Sequence, residues 1–181
     1  MKATIAGQML ELIEGNIVEQ RVDAVVNAAN SRLAGGGGVD GAIHRSGGPA
    51  IMEETDRLYP EGCPTGSAVI SGAGRLPAKF VIHAVGPVWS GGKSGEPELL
   101  AGAHRRSLEL AVEHDCRSVA FPAISTGVYG YPLDLAAGVA LSTVISFLRE
   151  SGRPELVRFV LFGRPVYEAF ASKLAEALQA F

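Results

Sequence analysis

Two glycine-rich segments carry the residues best suited to hold an anionic ligand, and residues 25–44 form the first. The segment reads VVNAAN at residues 25–30 and GGGGVDGAIH at residues 35–44. Four successive glycines are entropically costly, but they allow backbone N–H groups to approach a phosphate closely. Val39 and Ile43 follow in helical register, so the glycines precede a helix N-terminus, where anions are favoured. A flexible linker is the alternative interpretation, and the immediate start of the helix argues against it.

The second segment, residues 121–132, reads FPAISTGVYGYP and begins at the end of a predicted strand. It combines hydroxyl groups, glycines and two tyrosines at a strand end, which is where sheets of α/β proteins bind ligands. Donors from the two segments could hold one diphosphate from both sides, with Tyr129 covering a sugar. Packing within the loop is the alternative for Tyr129 and for Tyr131.

The glycines of the first segment also allow a dinucleotide-binding interpretation. Gly36, Gly38 and Gly41 satisfy the pattern G-x-G-x-x-G. A run of four glycines generates that pattern easily, and residues 28–34 separate it from the preceding strand. The dinucleotide-binding fold also has a second strand that ends in an acidic residue, and no such strand follows these glycines at the expected place. An NAD-dependent oxidoreductase is therefore kept as an alternative class of enzyme.

Seven short apolar stretches predict the strands that must position these two segments. Segments with helical spacing lie between them, with apolar stripes over residues 99–112, 135–147 and 166–178. Because strands alternate with helices, we expect one α/β domain over residues 1–181, with helices on both faces of a mostly parallel sheet. The first two stretches predict a hairpin that makes the sheet mixed, and Gly86–Pro97 predicts a long surface loop. The predicted strands are Ala3–Ala6, Met9–Ile13, Ala24–Asn27, Ser67–Ile70, Phe80–Val85, Ser118–Phe121 and Val157–Phe162.

The composition restricts the partners and the compartment. The chain has 47% hydrophobic residues and a formal net charge of -3. This balance argues against nucleic acid as the main partner, because neutralising phosphates along a strand requires a basic surface. Cys63 and Cys116 form neither a disulfide framework nor a zinc-ligand pattern, so no metal is expected. Neither a signal peptide nor a membrane span is found, and we expect a cytoplasmic protein without membrane contact.

Three motifs together resemble the macrodomain family, in particular its MacroD-like class. They are NAAN at residues 27–30, GGGVDGAIH at residues 36–44 and PAISTGVYGYP at residues 122–132. Weaker agreement at residues 83–87 extends the resemblance over nearly the whole chain. The resemblance implies a three-layer α/β/α sandwich around a mixed sheet, with ADP-ribose or its esters as the ligand and no cofactor.

The resemblance also assigns roles to individual residues. Asp40 matches the acid that orients or activates water in related hydrolases, and Asn30 is expected to bind hydroxyls of the distal ribose. His44, one helical turn beyond Asp40, is expected to steady that region. The alternatives are a helix N-terminal acid for Asp40 and a partly exposed helix histidine for His44. The residues expected to contact the diphosphate and the distal ribose are Asn27, Gly36, Gly37, Gly38, Val39, Ser125, Thr126, Gly127, Val128 and Tyr129.

At the adenine end this chain departs from the family pattern. The family usually has an aspartate in a Gly-Asp-Ile segment, whereas this chain reads Gly15-Asn16-Ile17. The amide oxygen of Asn16 can accept a hydrogen bond from the adenine amino group, without the strength of a carboxylate acceptor. Phe162, at the end of the last predicted strand, is expected to stack on adenine, and a core position is the alternative.

The functional hypothesis is a hydrolase that removes ADP-ribose from acidic side chains of ADP-ribosylated proteins, deacetylates O-acetyl-ADP-ribose, or does both. Asp40, kept ionised near the positive end of a helix dipole, orients the attacking water. The two loops contribute by positioning the substrate, and no metal is required. The alternative is a reader module that binds ADP-ribose without cleaving it, and the carboxylate at position 40 favours the hydrolase.

Overall fold

A single mixed sheet of seven strands forms the centre of the fold. The chain is seen in a computed structural model that describes residues 1–180. Each of the seven predicted strands is present, and the observed ends differ from the predicted ones by at most two residues. The strands are β1 (Lys2–Ile5), β2 (Gln8–Glu14), β3 (Val22–Ala28), β4 (Ala68–Gly72), β5 (Ala78–Ala84), β6 (Ser118–Phe121) and β7 (Leu156–Leu161).

Five parallel strands lie between two antiparallel edge strands. The order across the sheet is β1-β2-β7-β6-β3-β5-β4, and the inner five strands are parallel to their neighbours. β1 pairs with β2 as the predicted hairpin, which turns at Ala6 and Gly7, both with positive φ. β4 pairs antiparallel with β5, a pairing that the alternation of strands and helices did not predict. The loops that follow the parallel strands all emerge at one edge of the sheet, where α/β proteins bind ligands.

Helices cover both faces of the sheet and complete the expected three-layer α/β/α sandwich. α1, α2 and a short 3-10 turn pack on one face, and α3, α4 and α5 pack on the other. The sequence did not predict α2, because only Ile51 and Thr55 of this helix are buried, too few to produce a clear apolar stripe. None of the helices within residues 1–180 combines the length and the apolar character that a membrane span requires. The helices are α1 (Gly38–Gly47), α2 (Ala50–Leu58), α3 (Glu96–Glu113), α4 (Leu133–Ser151) and α5 (Arg164–Gln179), and the turn is Ile17–Glu19.

Successive side chains of the central strands lie on opposite faces of the sheet, so the hydrophobic core has two parts, one on each face. Ala24 and Val26 of β3 belong to the cluster that α3, α4 and α5 cover, whereas Val25 belongs to the cluster that α1 and α2 cover. All three side chains are buried, which explains the unbroken apolar sequence of this strand. Burial on both faces fixes the register of β3, and so fixes the face of the sheet on which the Asn27 side chain lies.

The predicted surface loop Gly86–Pro97 ends two residues early, because Glu96 already begins α3. The Glu96 side chain is buried and organises the loop before it. Its carboxylate accepts hydrogen bonds from the backbone N–H groups of Ser90, Gly92 and Ser94, at 2.9, 2.9 and 2.6 Å. Burial acts to raise the pKa of Glu96, but these backbone donors outweigh it and the net pKa is lowered. The loop is therefore held in one shape by a single anion.

Replacement of two helical glycines by alanine is expected to have opposite effects on stability. A Cβ at Gly102 in α3 would lie 2.6 Å from the carbonyl oxygen of Gly66, whereas a Cβ at Gly138 in α4 would meet no atom within 4 Å. Gly102→Ala is expected to lower the free energy of unfolding by about 1–3 kcal/mol through overpacking. Gly138→Ala is expected to raise it by about 0.5–1 kcal/mol through helix propensity. Urea denaturation measures both, and a stabilising Gly102→Ala would contradict the close packing of α3 on the turn at Gly66.

Candidate active site

A cavity of about 240 Å³ opens at the edge of the sheet where the parallel strands end. It lies between loop 1 (residues 29–37, after β3) and loop 2 (residues 122–132, after β6). The helix after β3 covers one face of the sheet and the helix after β6 covers the other, so the two loops part and leave a crevice. The lining residues are Ala28, Ala29, Asn30, Gly36, Gly37, Gly38, Val39, Asp40, Gly86, Ala123, Ile124, Ser125, Gly127, Val128 and Tyr129.

Asn30 holds loop 1 in shape through both ends of its side-chain amide. Its Nδ2 donates to the carbonyl oxygen of Gly35 at 2.9 Å, and its Oδ1 accepts from the N–H of Ala34 at 3.1 Å. Gly38, which begins α1, has a φ of 57°, a conformation that favours glycine. A Cβ at Gly37 or at Gly38 would meet no protein atom within 4 Å. The backbone of these glycines is therefore open to the cavity.

Ser125 produces the sharp bend of loop 2. It is buried with a φ of 70°, and its carbonyl oxygen accepts from the N–H of Tyr131 at 3.0 Å. Its hydroxyl oxygen is buried and finds no hydrogen-bond partner within residues 1–180. A Cβ at Gly86 would collide with this hydroxyl, so glycine is required where the loop after β5 meets loop 2.

The two tyrosines of loop 2 occupy different environments. Tyr129 lines the cavity, and its carbonyl oxygen accepts from the N–H of Trp89 at 2.8 Å. Tyr131 is buried against the Trp89 ring, with 4.6 Å between ring centroids. The packing alternative is therefore confirmed for Tyr131, and a sugar contact by Tyr129 stays a prediction.

Free backbone N–H groups lie on both sides of the cavity. On one side they belong to loop 1 and the first turn of α1, where a helix leaves its N–H groups without helical partners. On the other side they belong to loop 2. Such groups, aimed at one cavity, form an anion-binding arrangement. The N–H groups that donate to no protein acceptor within residues 1–180 include those of Gly36, Gly37, Gly38, Val39, Gly127, Val128 and Tyr129.

Asp40 is the only carboxylate among the cavity-lining residues, and one of its two oxygens is free. The residue lies in the first turn of α1 and is 6% exposed. Its Oδ1 accepts from Asn27 Nδ2 at 2.9 Å and lies 3.2 Å from His44 Nε2. No hydrogen bond reaches Oδ2 from any residue in the described range 1–180. Oδ2 lies beside Gly36, where a Cβ would be 3.6 Å from it.

Asp40 is ionised at neutral pH. Burial acts to raise its pKa, but the hydrogen bonds from His44 and Asn27, with the nearby His83 ring, bring the net pKa below the ordinary value of 3.8. The positive end of the α1 dipole also favours the anion. The cavity therefore contains a fixed negative charge with one oxygen available to orient a water molecule.

A row of buried polar side chains lies behind Asp40. Asn27 Nδ2, which donates to Asp40, also lies 3.3 Å from His83 Nδ1, and His83 Nε2 lies 2.8 Å from Ser71 Oγ. Asn27, His83 and Ser71 are each at most 3% exposed. Burial, together with the nearby His44 ring, lowers the pKa of His83 to about 4, so its imidazole is neutral at neutral pH.

The structure brings most of the predicted diphosphate and ribose residues to this cavity, with three exceptions. Asn27 is completely buried and contacts Asp40, so the expected contact with the ligand is not supported. Thr126 does not line the cavity, because its hydroxyl donates to the carbonyl oxygen of Ala123 at 2.8 Å. His44 also lies outside the lining, with a side chain 18% exposed that contacts Asp40 as expected. The predicted residues that line the cavity are Asn30, Gly36, Gly37, Gly38, Val39, Asp40, Ser125, Gly127, Val128 and Tyr129.

Asn16, Ile17 and Phe162 lie at the same edge of the sheet but outside the cavity, because they follow β2 and β7. Asn16 Oδ1 accepts from the N–H of Val18 at 3.2 Å, so the oxygen expected to bind adenine already caps the 3-10 turn. Ile17 is buried at 5% exposure. Phe162 is 81% exposed, so the core alternative for this residue is wrong, and stacking on adenine stays a prediction.

Several residues of the site carried no chemical signal in the sequence. Five lining residues are small or apolar, and His83 is remote from Asn27 in sequence. Only the register of β3 against β5, which places Asn27 opposite His83, reveals their contact. Within residues 1–180 no three His, Cys, Asp or Glu side chains are grouped to hold a metal ion. The lining residues not predicted are Ala28, Ala29, Gly86, Ala123 and Ile124.

Comparisons with known proteins agree with this geometry. The family model described as Macro domain matches residues 26–140. A Macro domain-containing protein of Caldanaerobacter subterraneus subsp. tengcongensis is 56% identical over 171 residues, which cover 93% of this chain and 97% of the relative. A protein of Salmonella typhimurium named O-acetyl-ADP-ribose deacetylase is 51% identical, over 92% of this chain and 94% of the relative. The solved structure of the Oceanobacillus iheyensis macrodomain with ADP superposes with a TM-score of 0.95 and 41% identity, and covers 100% of this chain and 97% of that one.

The family model spans both glycine-rich loops and Asp40, and the relatives match almost the whole chain at more than half identity. The fold, with its mixed seven-stranded sheet and five helices, is that of the solved macrodomain structure. This chain belongs to the macro domain family.

Proposed function

We propose that this chain binds ADP-ribose in the cavity and hydrolyses an ester at its distal ribose. The substrate is a protein that carries ADP-ribose on an acidic side chain, or O-acetyl-ADP-ribose. The observation that carries the proposal is an ionised carboxylate with one free oxygen, set between two loops of free backbone N–H groups. The Salmonella relative, named O-acetyl-ADP-ribose deacetylase, and the ADP in the Oceanobacillus structure support this class of ligand.

We assign the diphosphate to the space between loop 1 and loop 2. Among the described residues 1–180 no lysine or arginine lines the cavity, so a bound anion depends on backbone N–H groups and the N-terminus of α1. Such a site needs no basic surface, which agrees with the net charge of -3. With the diphosphate fixed from both sides, the sugar attached to it is held in a limited volume beside Asp40, and that positioning is itself a source of rate enhancement.

Asp40 acts by orienting water. Asn27 and His44 occupy Oδ1, so Oδ2 is the oxygen that accepts a hydrogen bond from water. The water attacks the acyl carbon, with cleavage of its bond to the ribose oxygen, or it attacks the ribose carbon, with cleavage of its bond to the acyl oxygen. Either route releases a carboxylic acid and leaves a hydroxyl on the ribose. A fixed carboxylate with a low pKa is a weak base, so its contribution is orientation and partial proton acceptance.

Asp40→Asn is expected to slow turnover strongly while binding persists. The amide keeps the volume of the side chain and an oxygen that accepts from Asn27, but it removes the negative charge that orients water. We expect the rate of ADP-ribose release from a glutamate-linked target to fall on the order of 100-fold. Calorimetric titration is expected to give an ADP-ribose affinity within about threefold of wild type, because backbone N–H groups supply the phosphate contacts.

A matched control separates this effect from a general loss of helix N-terminal charge. Asp134 is an exposed acid in the first turn of α4, outside the cavity, and Asp134→Asn is expected to leave turnover unchanged. Equal loss in both variants would contradict a specific role for Asp40. Wild-type protein that binds ADP-ribose and releases none from either ester would instead establish a reader module.

The titration of Asp40 offers a test that needs no substrate. The folded-state pKa is lowered, so the carboxylate is expected to remain ionised from pH 8 to about pH 5 and to contribute stability that is lost only as the pH falls through its lowered pKa. The 13Cγ chemical shift of Asp40, followed by NMR against pH, measures this directly. A titration midpoint above the ordinary value of 3.8 would show that burial outweighs the donors from Asn27 and His44.

A further inference from the structure

We propose that His83 and Ser71 are positioning residues for Asp40, acting through the side-chain amide of Asn27. None of the three lines the cavity, so none is expected to contact substrate. The inference deepens the proposed function, since it concerns the same carboxylate. It names the buried groups that decide which way the Asn27 amide points and therefore how Asp40 is held.

Sheet register brings the row together. Asn27 of β3 lies directly opposite His83 of β5, and β4, the other neighbour of β5, carries Ser71. The distances along the row are 2.9 Å from Ser71 Oγ to the carbonyl oxygen of Gly72, 2.8 Å from Ser71 Oγ to His83 Nε2, and 3.3 Å from His83 Nδ1 to Asn27 Nδ2. The last step is the 2.9 Å bond from Asn27 Nδ2 to Asp40 Oδ1.

Ser71 selects the tautomer of His83. The Ser71 hydroxyl has one hydrogen, and we assign it to the carbonyl oxygen of Gly72, 2.9 Å from Oγ, because that carbonyl can only accept. Toward the imidazole its oxygen can therefore only accept, and Nε2 of His83 must carry the proton. A neutral imidazole protonated on Nε2 has an unprotonated Nδ1, which is an acceptor.

The His83 tautomer in turn fixes the orientation of the Asn27 amide. The Nδ2 group has two hydrogens, and its two neighbours, His83 Nδ1 and Asp40 Oδ1, are both acceptors. A flipped amide would present Oδ1 to a carboxylate and to an imidazole lone pair at hydrogen-bond distance, which is repulsive on both sides. In the observed orientation, Asn27 Oδ1 is buried and has no hydrogen-bond partner within residues 1–180. This buried, unsatisfied oxygen indicates that the two bonds made by Nδ2 decide the orientation.

Asp40 is consequently held from two independent directions, by Asn27 from β3 and by His44 from its own helix. Loss of the donor from Asn27 leaves the carboxylate with His44 alone, in a site that is still buried. The side chain can then rotate about its Cβ–Cγ bond, and Oδ2 no longer has a fixed direction for water. Because the free N–H groups of the two loops are untouched, ligand binding is unaffected by this change.

Imidazole 15N NMR and steady-state kinetics on the full chain test the proposal together. In wild type, His83 is expected to show a protonated Nε2 and an unprotonated Nδ1 down to about pH 5, above its pKa of about 4. Ser71→Ala is expected to shift that tautomer equilibrium. Both Ser71→Ala and His83→Leu are expected to lower kcat for ester hydrolysis by about tenfold, with KM within about twofold of wild type. His83→Leu should also raise the pKa of Asp40, read from its 13Cγ shift.

Two variants make the test specific. His83→Asn keeps an acceptor near the position of Nδ1 and is expected to recover kcat relative to His83→Leu. His104, also 1% exposed and with a pKa of about 4, packs against Phe121 away from Asp40, so His104→Leu is the matched control and is expected to leave kcat and the Asp40 pKa unchanged.

The proposal is overturned if wild-type His83 carries its proton on Nδ1. It is also overturned if Ser71→Ala and His83→Leu leave kcat and the Asp40 pKa as in wild type, or if His104→Leu changes them equally. A wild-type protein without hydrolase activity would refute the proposed function alone, because the tautomer and the Asp40 titration need no turnover and would still decide the positioning role.

Discussion

Backbone N–H groups without partners, at the edge of a sheet where parallel strands end, are the constraint on which the site depends. Loop 1 and loop 2 follow neighbouring strands whose helices lie on opposite faces, so the loops part, and neither offers carbonyl acceptors to the N–H groups of the other. Loop 1 is stabilised in its open shape by the side-chain amide of Asn30, and loop 2 by the backbone carbonyl of Ser125, which accepts from the N–H of Tyr131. The result is a small cavity bordered by free N–H groups, which is suited to an anion, and no basic side chain of residues 1–180 lines it.

A buried carboxylate is electrostatically favourable only if hydrogen-bond donors compensate for the loss of water around it. Asp40 meets this requirement because Asn27 and His44 bind its Oδ1, and the α1 dipole favours its charge. The donors come from the strand and the helix that also carry loop 1. Stability and chemistry therefore depend on the same register: a slip of β3 by one residue would turn Asn27 to the opposite face of the sheet and leave Asp40 without its partner.

The sequence predicted the seven strands, the hairpin and the two loops, because apolar stretches and glycine runs are local signals. It did not predict α2, whose buried residues are too few, or the antiparallel edge strand β4. At the site it predicted Asp40 and the glycines, which line the cavity. It also predicted a ligand contact for Asn27, which lies in the same motif as Asn30 but is buried, whereas Asn30 lines the cavity. His83 and Ser71 became visible only through sheet register, which pairs residues far apart in the chain. The exposure of Phe162 depends on β7 ending one residue earlier than its apolar run indicates.

The crystal structure of this protein with ADP-ribose is the most direct test of the central claim. Diphosphate oxygens are expected within about 3.2 Å of backbone nitrogens from both loop 1 and loop 2. The distal ribose is expected beside Asp40, with a water molecule on Oδ2. A diphosphate that contacts neither loop, or a distal ribose remote from Asp40, would contradict the account.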